Sequence, residues 1–490
     1  MSVTPLNRVE GGCSLSATSD GIRLQGPPPR LFEHRLVGRT ALEAVFLTQQ
    51  ISADMSISHA LAAVNAWEMI ARINVAENGR VLREFLHALS IIHAHLRNFY
   101  LVTLPDYLPP GTLADYTGGD SEVKRISAEV RQKPPQHWSR HMFPHPFSPS
   151  EVNRLWEQSL HAPRYLSLLQ RMMALLGGKF PQVMCMVPGG VTLNLTEALL
   201  IKMRVWMVEM RHFIGKGLME DGLLVVNRYP HIKTLGRGVR DFLSVGSGED
   251  DAVFESSIFP SGIYTGGRLE RFTPVGTESI VTAFYRLAQP PPSKGPVLLP
   301  DPEKRGAYSW IKAPRHQGQP MECGPFARMI IAYLSGARIA DPTLVETLQR
   351  ETGLPLNEGN TTGGRLLARL AETTELFARC GVLLDQLDPA QPTILHELNP
   401  HKATGEALGH VEGPAGSVRH HVTLEKGQVL YYDIYSASTW NGSSRDENGR
   451  MGSLESALNA KPLDPAKPED LRDLARIARS FAFSMSDATH

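Results

Sequence analysis

The side chains that could do chemistry are concentrated in two short segments, residues 50–59 near the start of the chain and residues 480–490 at its end. Each segment holds two such side chains three positions apart, Ser52 and Met55 in the first and Ser484 and Asp487 in the second. Hydroxyl, thioether and carboxylate groups are neutral or hard ligands, and they are a poor match for a soft transition metal. A buried Asp487 could instead serve as an acid or a base.

The composition describes a globular chain with no global electrostatic bias. Its 490 residues are 42% hydrophobic and 20% charged, which is enough for a large core. Lysine plus arginine (50) balance aspartate plus glutamate (50), so no global field attracts nucleic acid or an anionic membrane. We therefore expect no nucleic-acid partner.

The cysteines and the hydropathy predict a cytoplasmic protein. Cys13, Cys185, Cys323 and Cys380 are scattered, which argues against a disulfide framework or a zinc ribbon and suits a reducing compartment. No segment reaches the roughly 18 apolar residues that a membrane helix needs. The first residues also lack a signal-peptide pattern. We expect no direct membrane span, although a partner could bring the chain to a membrane.

Hydrophobic periodicity predicts that helices dominate. Apolar residues at three- and four-residue spacing predict a long helix from Val81 to Phe99. The capping box Ser148-Pro149-Ser150-Glu151 begins another that reaches Leu176, and Pro163 is expected to kink or divide it. Further helices are predicted around residues 366–377 and 471–481. The last of these would deliver the C-terminus into the interior.

Strands are predicted in two places. Short β-branched and aromatic runs indicate a strand-rich excursion at about residues 222–290, and a turn between two such runs indicates a β-hairpin at about 418–436. We expect one α+β domain over residues 1–490, predominantly helical, with a long-helix core and flanking β layers.

Several blocks, in the right order, are similar to the large subunit of [NiFe]-hydrogenases over nearly the whole chain. The segments at 50–59 and 480–490 resemble that family's two metal-binding segments. The resemblance implies the family's large-subunit fold. The other matching blocks are Arg8-Val9-Glu10-Gly11, Phe32-Glu33 with Val37-Gly38-Arg39, Leu176-Gly177-Gly178-Lys179, Val187-Pro188-Gly189-Gly190-Val191-Thr192, Tyr308 to Arg315, Met321 to Met329 and Ser438-Thr439-Trp440-Asn441.

The family's metal ligands are missing from this chain. In the family each segment carries a CxxC pair, and the four thiolates hold nickel and an iron that carries CO and cyanide. The matching positions here are Ser52, Met55, Ser484 and Asp487, and Ala415 stands where the family has an arginine above the metals. Soft, anionic sulfur is what such a centre requires. We therefore predict that the nickel–iron centre is absent.

Residues outside the thiolate set match the family better. Glu33 and His490 match its glutamate and C-terminal histidine that bind a structural magnesium, and Lys312 and Glu322 resemble the outer shell of that site. The resemblance therefore implies a magnesium site at Glu33 and His490.

Two further residues match family positions that act on the thiolates. Glu10 matches the proton-transfer glutamate, and His59 matches the histidine that hydrogen-bonds a bridging cysteine. Without the thiolates both positions are expected to be vestigial. Cys13 follows the block that contains Glu10, and one thiol cannot replace four.

The missing ligands within a family-like chain favour a non-catalytic structural or regulatory subunit, and the resemblance implies that it pairs in a heterodimer with an iron–sulfur small subunit. Whether the chain is an enzyme stays open, and three alternatives remain. It could be a redox enzyme or small-ligand binder that uses the vacated cavity, with quinone-like chemistry. It could be a scaffold for hydrogenase maturation. It could also be a hydrogen-oxidising or hydrogen-sensing large subunit, as similarity alone would suggest.

Overall fold

The structure is a computed structural model that describes residues 2–3, 14–133, 143–246, 259–272, 277–278, 282–288, 297–337, 343–395 and 403–490. The α-helices of these ranges are α1 Phe32–Leu36, α2 Ala41–Thr48, α3 Ser56–Ala71, α4 Glu77–Arg97, α5 Ser121–Gln132, α6 Pro149–Gly177, α7 Glu197–His212, α8 Leu218–Arg228, α9 Pro325–Ser335, α10 Thr343–Thr352, α11 Thr362–Gln386, α12 Ala437–Asn441, α13 Ser453–Asn459, α14 Pro468–Ser480 and α15 Met485–Ala488.

Most of the strands are short and form small sheets. They are β1 Ser2–Val3, β2 Ser14–Thr18, β3 Gly21–Gln25, β4 Met186–Val187, β5 Gly190–Val191, β6 Phe242–Val245, β7 Ser261–Thr265, β8 Arg268–Glu270, β9 Thr277–Glu278, β10 Tyr285–Ala288, β11 Val297–Pro300, β12 Pro314–Arg315, β13 Glu322–Cys323, β14 Gly405–Gly413, β15 Gly416–Glu425 and β16 Gln428–Tyr435. The expected α+β, predominantly helical fold is confirmed.

Helix α4 lies at the centre of the core. It packs against α11 and α6, and its apolar side chains from Val81 to Leu96 are buried. The helix predicted from Val81 to Phe99 corresponds to α4, which passes into the π-helical turn Asn98–Thr103 and then the 3₁₀ turn Leu104–Asp106. Proline at 105 cannot continue an α-helix, so the backbone tightens there.

Helix α6 runs for 29 residues with Pro163 inside it. The expected capping box is present, and the backbone N–H of Ser148 donates to Glu151 at 2.7 Å. The structure does not divide the helix at Pro163. Leu155, Ala162 and Leu166 stay buried along its length, and this continuous apolar packing offsets the hydrogen bond that proline removes.

The three-stranded antiparallel sheet β14–β15–β16 packs against α3 and supports the site. Strands β15 and β16 correspond to the hairpin predicted at about 418–436. Gly409 lets β14 approach α3 closely, because a Cβ at this position would lie 2.0 Å from the carbonyl oxygen of Ala62. The turn from β14 to β15 contains Ala415, and Gly416 adopts a φ of 132° there.

The region predicted to be strand-rich begins with a helix. Residues 222–228 belong to α8, where Leu218, Val225 and Val226 are buried at helical spacing. The start of the predicted excursion at 222 was therefore wrong, because α8 buries its apolar residues with a period of 3.6. Within the described residues, β6 begins at Phe242 and pairs with β13 and β7, while β7 pairs with β8.

The C-terminus enters the interior, as predicted. Helix α14 ends at Ser480, and Phe481, Phe483 and Met485 are buried beyond it. The last residue, His490, is also buried. Among the helices in the described ranges, none is long and apolar enough to cross a lipid bilayer.

Candidate functional site

The two predicted segments meet inside the protein. Ser52 and Met55 precede α3, and Ser484 caps the short helix α15, whose Asp487 N–H donates to the Ser484 hydroxyl at 3.3 Å. All four side chains are buried, with residue exposures of 2% for Ser52, 1% for Met55, 7% for Ser484 and 0% for Asp487. His59, one turn into α3, connects the segments through Asp487.

Both oxygens of the Asp487 carboxylate contact protein donors. His59 Nε2 donates to Oδ1 at 3.1 Å, and the Ser438 backbone N–H approaches Oδ2 at 3.4 Å. Burial raises the pKa of the Asp487 carboxyl, but the His59 hydrogen bond and the charge of His490 outweigh it and lower the pKa below its ordinary value. Asp487 is therefore an anion held by donors on α3 and α12.

A row of hydrogen bonds extends from Asp487 to the sheet. His59 Nδ1 lies 2.9 Å from His420 Nε2, and His420 Nδ1 lies 2.8 Å from the Tyr432 hydroxyl. Burial lowers the pKa of both His59 and His420, so both rings are neutral. One proton placement then satisfies all three contacts: Tyr432 donates to His420, His420 donates to His59, and His59 donates to Asp487.

Arg30 joins the backbones of the two segments. Its guanidinium donates to the carbonyl oxygens of Ile51 and Ser486, and its backbone N–H donates to the Thr489 carbonyl at 3.2 Å. The guanidinium also lies 4.9 Å from the centre of the Phe32 ring. One cation therefore joins the segment of Ser52 to the segment of Asp487.

Met55 and Ala415 lie close to the turn between β14 and β15. The Met55 Cε and Sδ atoms lie 2.5 and 3.0 Å from the position that a Cβ on Gly413 would occupy. The thioether therefore packs on the backbone of this turn. Ala415, on the same turn, is 5% exposed, so no charged side chain projects from the position that matches the family arginine.

Glu33 and His490 lie together, with Lys312 between Glu33 and Asp433. Lys312 Nζ donates to Glu33 and, at 2.6 Å, to Asp433, and His490 Nε2 lies 3.4 Å from Glu33 Oε1. Although burial raises the pKa of Glu33, the positive charges of Lys312 and His490 lower it well below its usual range. The positive charges of Lys312 and His490 thus balance the negative charges of Glu33 and Asp433.

His490 carries a proton on both ring nitrogens. Nδ1 contacts the Asp487 carbonyl oxygen at 2.9 Å, Nε2 contacts the Ile434 carbonyl oxygen at 3.0 Å, and carbonyl oxygens only accept. Burial lowers the pKa of His490, but its hydrogen bond to Glu33 outweighs this and raises the pKa above its ordinary value. His490 Nε2 thus lies 3.4 Å from Glu33 Oε1 and 3.0 Å from Ile434 O. A carboxylate oxygen, a carbonyl oxygen and an imidazole nitrogen are therefore close together.

Glu322 does not join this cluster. Its carboxylate accepts from the Arg365 guanidinium at 2.7 and 2.9 Å and from Asn360 at 2.8 Å. Ser453 also donates to it at 2.6 Å. No contact between Glu322 and Glu33 or His490 is seen among the described residues, so its role in an outer shell stays a prediction. Glu10 and Cys13 lie outside the described residues.

A buried ionic network next to the β14–β15 turn escaped the sequence analysis. Arg328 donates to Glu372 at 2.6 Å twice and to Glu412 at 2.6 Å, and His95 contacts Glu372 at 2.8 Å. Burial raises the pKa of Glu412 to about 7, despite Arg328. Arg328 belongs to the block 321–329 that resembles the family. That match was the one sequence feature that could have pointed to the network.

The described residues contain no group of three or more His, Cys, Asp or Glu side chains placed to hold a metal ion. The pair that comes nearest to such a group is Glu33 with His490, and the backbone carbonyl of Ile434 lies beside it. Asp433 contacts the same Lys312 ammonium that Glu33 contacts.

Comparison with known proteins identifies the family. The model of the nickel-dependent hydrogenase family matches residues 30–137 and 124–490, so the chain belongs to that family. It is 25% identical to the periplasmic [NiFeSe] hydrogenase large subunit of Desulfomicrobium baculatum, covering 100% of this chain and 94% of that protein. It is also 25% identical to the hydrogenase-2 large chain of Escherichia coli K12, covering 100% and 97%.

Solved structures agree over the full length. The Ni-Fe-Se hydrogenase of D. vulgaris Hildenborough in the reduced state superposes with a TM-score of 0.85 at 25% identity, covering 100% of this chain and 99% of that one. The resemblance inferred from the sequence motifs is thus confirmed at the level of family and fold.

Proposed function

We propose that this chain is a hydrogenase large-subunit-like protein without a nickel–iron centre, which acts as a structural or regulatory subunit beside an iron–sulfur small subunit. The observation that carries the proposal is the replacement of all four thiolate positions by Ser52, Met55, Ser484 and Asp487, which lie together in the interior. The family supplies the fold, and the changed side chains remove the soft ligands.

The donor chemistry at these positions does not fit the family's centre. A serine hydroxyl stays protonated at neutral pH, a methionine sulfur is neutral, and a carboxylate prefers hard cations. Asp487, the one anion among the four, is already bonded to His59 and to the Ser438 N–H. No chemical step through nickel or iron is therefore assigned to this chain.

Direct protein contacts between the two segments also support the proposal. A thiolate cluster in the family would tie the two segments together. Here the Arg30 guanidinium and the His59–Asp487 contact join the same segments directly. Ser436 adds a hydrogen bond to the Asp487 carbonyl at 2.6 Å. A chain that serves through its fold and binding surface needs protein contacts that hold these segments together in place of the metal cluster. A catalyst, in contrast, needs the metals themselves.

We also propose magnesium at Glu33, Ile434 O and His490. Carboxylate and carbonyl oxygens are the ligands that magnesium prefers, and these three atoms converge. His490 Nε2 must release its proton before it can ligate, so magnesium and the proton compete for this nitrogen. Lys312 would remain as a charge partner of Asp433. Bound magnesium would hold the C-terminal residue in place.

The iron–sulfur small subunit is proposed from the relatives. They are named as large subunits or large chains, and the similarity extends over the full length of this chain. Obligate interfaces of this kind commonly bury more than about 2,000 Å². Such a surface is a reason for a fold to persist after its catalytic centre is lost.

One alternative has an observation in its favour. Full-length similarity to proteins named as hydrogenases supports a hydrogen-oxidising large subunit. That function requires four ligands of types that this chain does not offer at the matching positions. The two proposals differ in metal content, which can be measured.

The test is to purify the chain after co-expression with a hydrogenase-type iron–sulfur small subunit, together with a cysteine-complete large subunit prepared in the same way. Elemental analysis should find no stoichiometric nickel in this chain, and infrared spectra should lack CO and cyanide bands that the control shows. The small subunit should copurify. Stoichiometric nickel or hydrogen uptake would overturn the proposal, and a chain that never binds a small subunit would overturn the subunit role.

A further inference from the structure

Helix α7 presents an apolar stripe to solvent. Ile201, Val205 and Val208 are 57%, 59% and 61% exposed, and their spacing of four and three residues places them on one face. Three large aliphatic side chains in a row with this exposure form a contiguous apolar patch, a feature that can mark an interaction surface.

The opposite face of α7 fixes the helix firmly. Leu200, Met203, Met207 and Met210 are buried, and the Thr196 hydroxyl caps the first turn. Arg204 donates to the carbonyl oxygen of Leu384 on α11 at 3.2 Å. The outward stripe is therefore part of a rigid element.

Four of the charges beside the stripe are self-complementary, and the fifth, Arg204, is already bonded to Leu384 and Asp385. Lys202 and Glu209 lie along one edge of the stripe, and Glu197 and Arg211 lie along the other, as the helical period of 3.6 residues requires. In each pair the acid and the base lie on opposite sides of Val205 along the helix. All four residues are exposed.

An antiparallel second copy of α7 matches this pattern. With Val205 opposite Val205 of the second copy, Ile201 faces Val208. The same register places Lys202 opposite Glu209 and Glu197 opposite Arg211, and the two-fold axis repeats each pair. Apolar residues thus meet apolar residues, and each of these charges meets its opposite.

We infer that α7 is the centre of a two-fold interface between copies of this chain. A partner of unrelated sequence has no reason to match a pattern that complements itself. Glu209 now pairs with Arg164 at 2.6 Å, between exposed side chains, so exchanging this partner costs little. The inference does not depend on whether the metal centre is lost.

Analytical ultracentrifugation of the full chain, with its small subunit where that copurifies, tests the interface. The wild type should form dimers at tens of micromolar, and Val205→Asp should weaken dimerisation at least about tenfold by burying a charge at the two-fold axis. Leu334→Asp is the matched control, because Leu334 on α9 is 43% exposed and lies on a different helix.

Charge variants make the test specific for the antiparallel register. Lys202→Glu alone places two acids opposite each other, and Glu209→Lys alone places two bases opposite each other. Each should weaken self-association by roughly threefold to tenfold, more at low salt. Mixing the two variants should restore a heterodimer of wild-type affinity, because every pair is then complementary.

Three results would overturn the inference: a wild type that stays monomeric, a Val205→Asp variant that dimerises like the control, or charge variants whose mixture does not recover. Loss of small-subunit binding in Val205→Asp, with self-association unchanged, would assign the stripe to that partner instead.

Discussion

Two neighbouring clusters hold the C-terminal segment, and they differ in how far they depart from the family. The first, around Asp487, His59 and Arg30, lies where the thiolates would be and contains none of them. The second, around Glu33, Lys312 and His490, keeps the residues that resemble the family's magnesium site. The first cluster therefore departs from the family's ligand types, whereas the second keeps the residue types of the positions that it matches.

The two clusters also hold their charges differently. Around Asp487 a single anion is reached by a row of neutral groups, His59, His420 and Tyr432. Around Glu33 the interactions are between full charges that balance. The first cluster resembles a packed structural contact, whereas the second keeps donors that a hard cation could use. Variants in the two clusters should therefore respond differently to magnesium and to pH.

Removing the Asp487 carboxylate should have the largest effect. Asp487→Ala leaves the buried His59 N–H and the Ser438 N–H without an acceptor, and we expect a loss of about 3 kcal/mol in unfolding free energy. Asp487→Asn keeps one acceptor for His59 and should lose less. Both are measured by denaturant unfolding of the metal-free protein.

The control for this prediction is Asp385→Ala, whose side chain is 77% exposed in its ion pair with Arg204. It should change stability by less than about 0.5 kcal/mol. If Asp487→Ala matches this control, the Asp487 cluster is not what closes the C-terminus, and the contrast between the clusters fails.

Magnesium should act only through the second cluster. Millimolar magnesium should raise the stability of the wild type by about 1–2 kcal/mol and should not stabilise Glu33→Gln, because the carboxylate ligand is gone. The effect should grow with pH, since His490 must lose its Nε2 proton. Thermal unfolding with and without magnesium measures both.

Glu129→Gln is the matched control for the magnesium experiment, because its carboxylate is 64% exposed on α5. It should keep the wild-type response to magnesium. Equal stabilisation of Glu33→Gln and wild type would place any magnesium elsewhere and leave Glu33 as a charge partner of Lys312 alone.

Arg30→Met should loosen the connection between segments 50–59 and 480–490. The variant loses the guanidinium hydrogen bonds to Ile51 and Ser486. We expect a loss of about 1 kcal/mol in unfolding free energy, because Arg30 is partly open to solvent. Hydrogen exchange at residues 484–490 should quicken. Arg35→Met is the control, since Arg35 stacks on the same Phe32 ring at 5.0 Å. Equal exchange in both variants would contradict the bridging role.

The sequence predicted the helical frame because burial repeats with the helical period. Val81 to Phe99 and the final apolar run each bury one face, so α4 and α14 could be predicted without tertiary information. The start of the strand-rich region was wrong, because Gly222 to Arg228 reads as short apolar runs whose period is hard to assign. The course of α6 through Pro163 depends on packing against α4, which local sequence does not report.

The site shows the same limit. Motif matching brought Ser52, Met55, Ser484 and Asp487 to one place, but it did not predict their contacts. His59 and His420 are 361 positions apart, and nothing local distinguishes His420 from its neighbour His421. The strand alternation of β15 buries the first and turns the second toward Glu406. Arg30 and Asp433 were missed for the same reason, since their partners come from distant segments.

The pH dependence of stability should separate the two clusters most finely. Glu33 raises the pKa of His490. The stability that this ion pair contributes is therefore fully present below the ordinary histidine pKa of about 6.5, and it is lost as pH rises through the folded pKa. The pKa of Asp487 is lowered, so its contribution is lost only as pH falls through the acidic range. Between pH 7 and 9 the two therefore behave differently.

Unfolding free energies of wild type, Glu33→Gln and Asp487→Asn at these pH values test the difference. The destabilisation by Glu33→Gln should shrink by roughly 0.5–1 kcal/mol from pH 7 to pH 9. The reason is that His490 in the wild type loses, over this range, the proton that the Glu33 carboxylate stabilises. The destabilisation by Asp487→Asn should stay constant, because Asp487 is ionised throughout. A constant effect in both variants would show that Glu33 acts through Lys312 and not through His490. The ionic cluster would then be as insensitive to pH in this range as the Asp487 cluster.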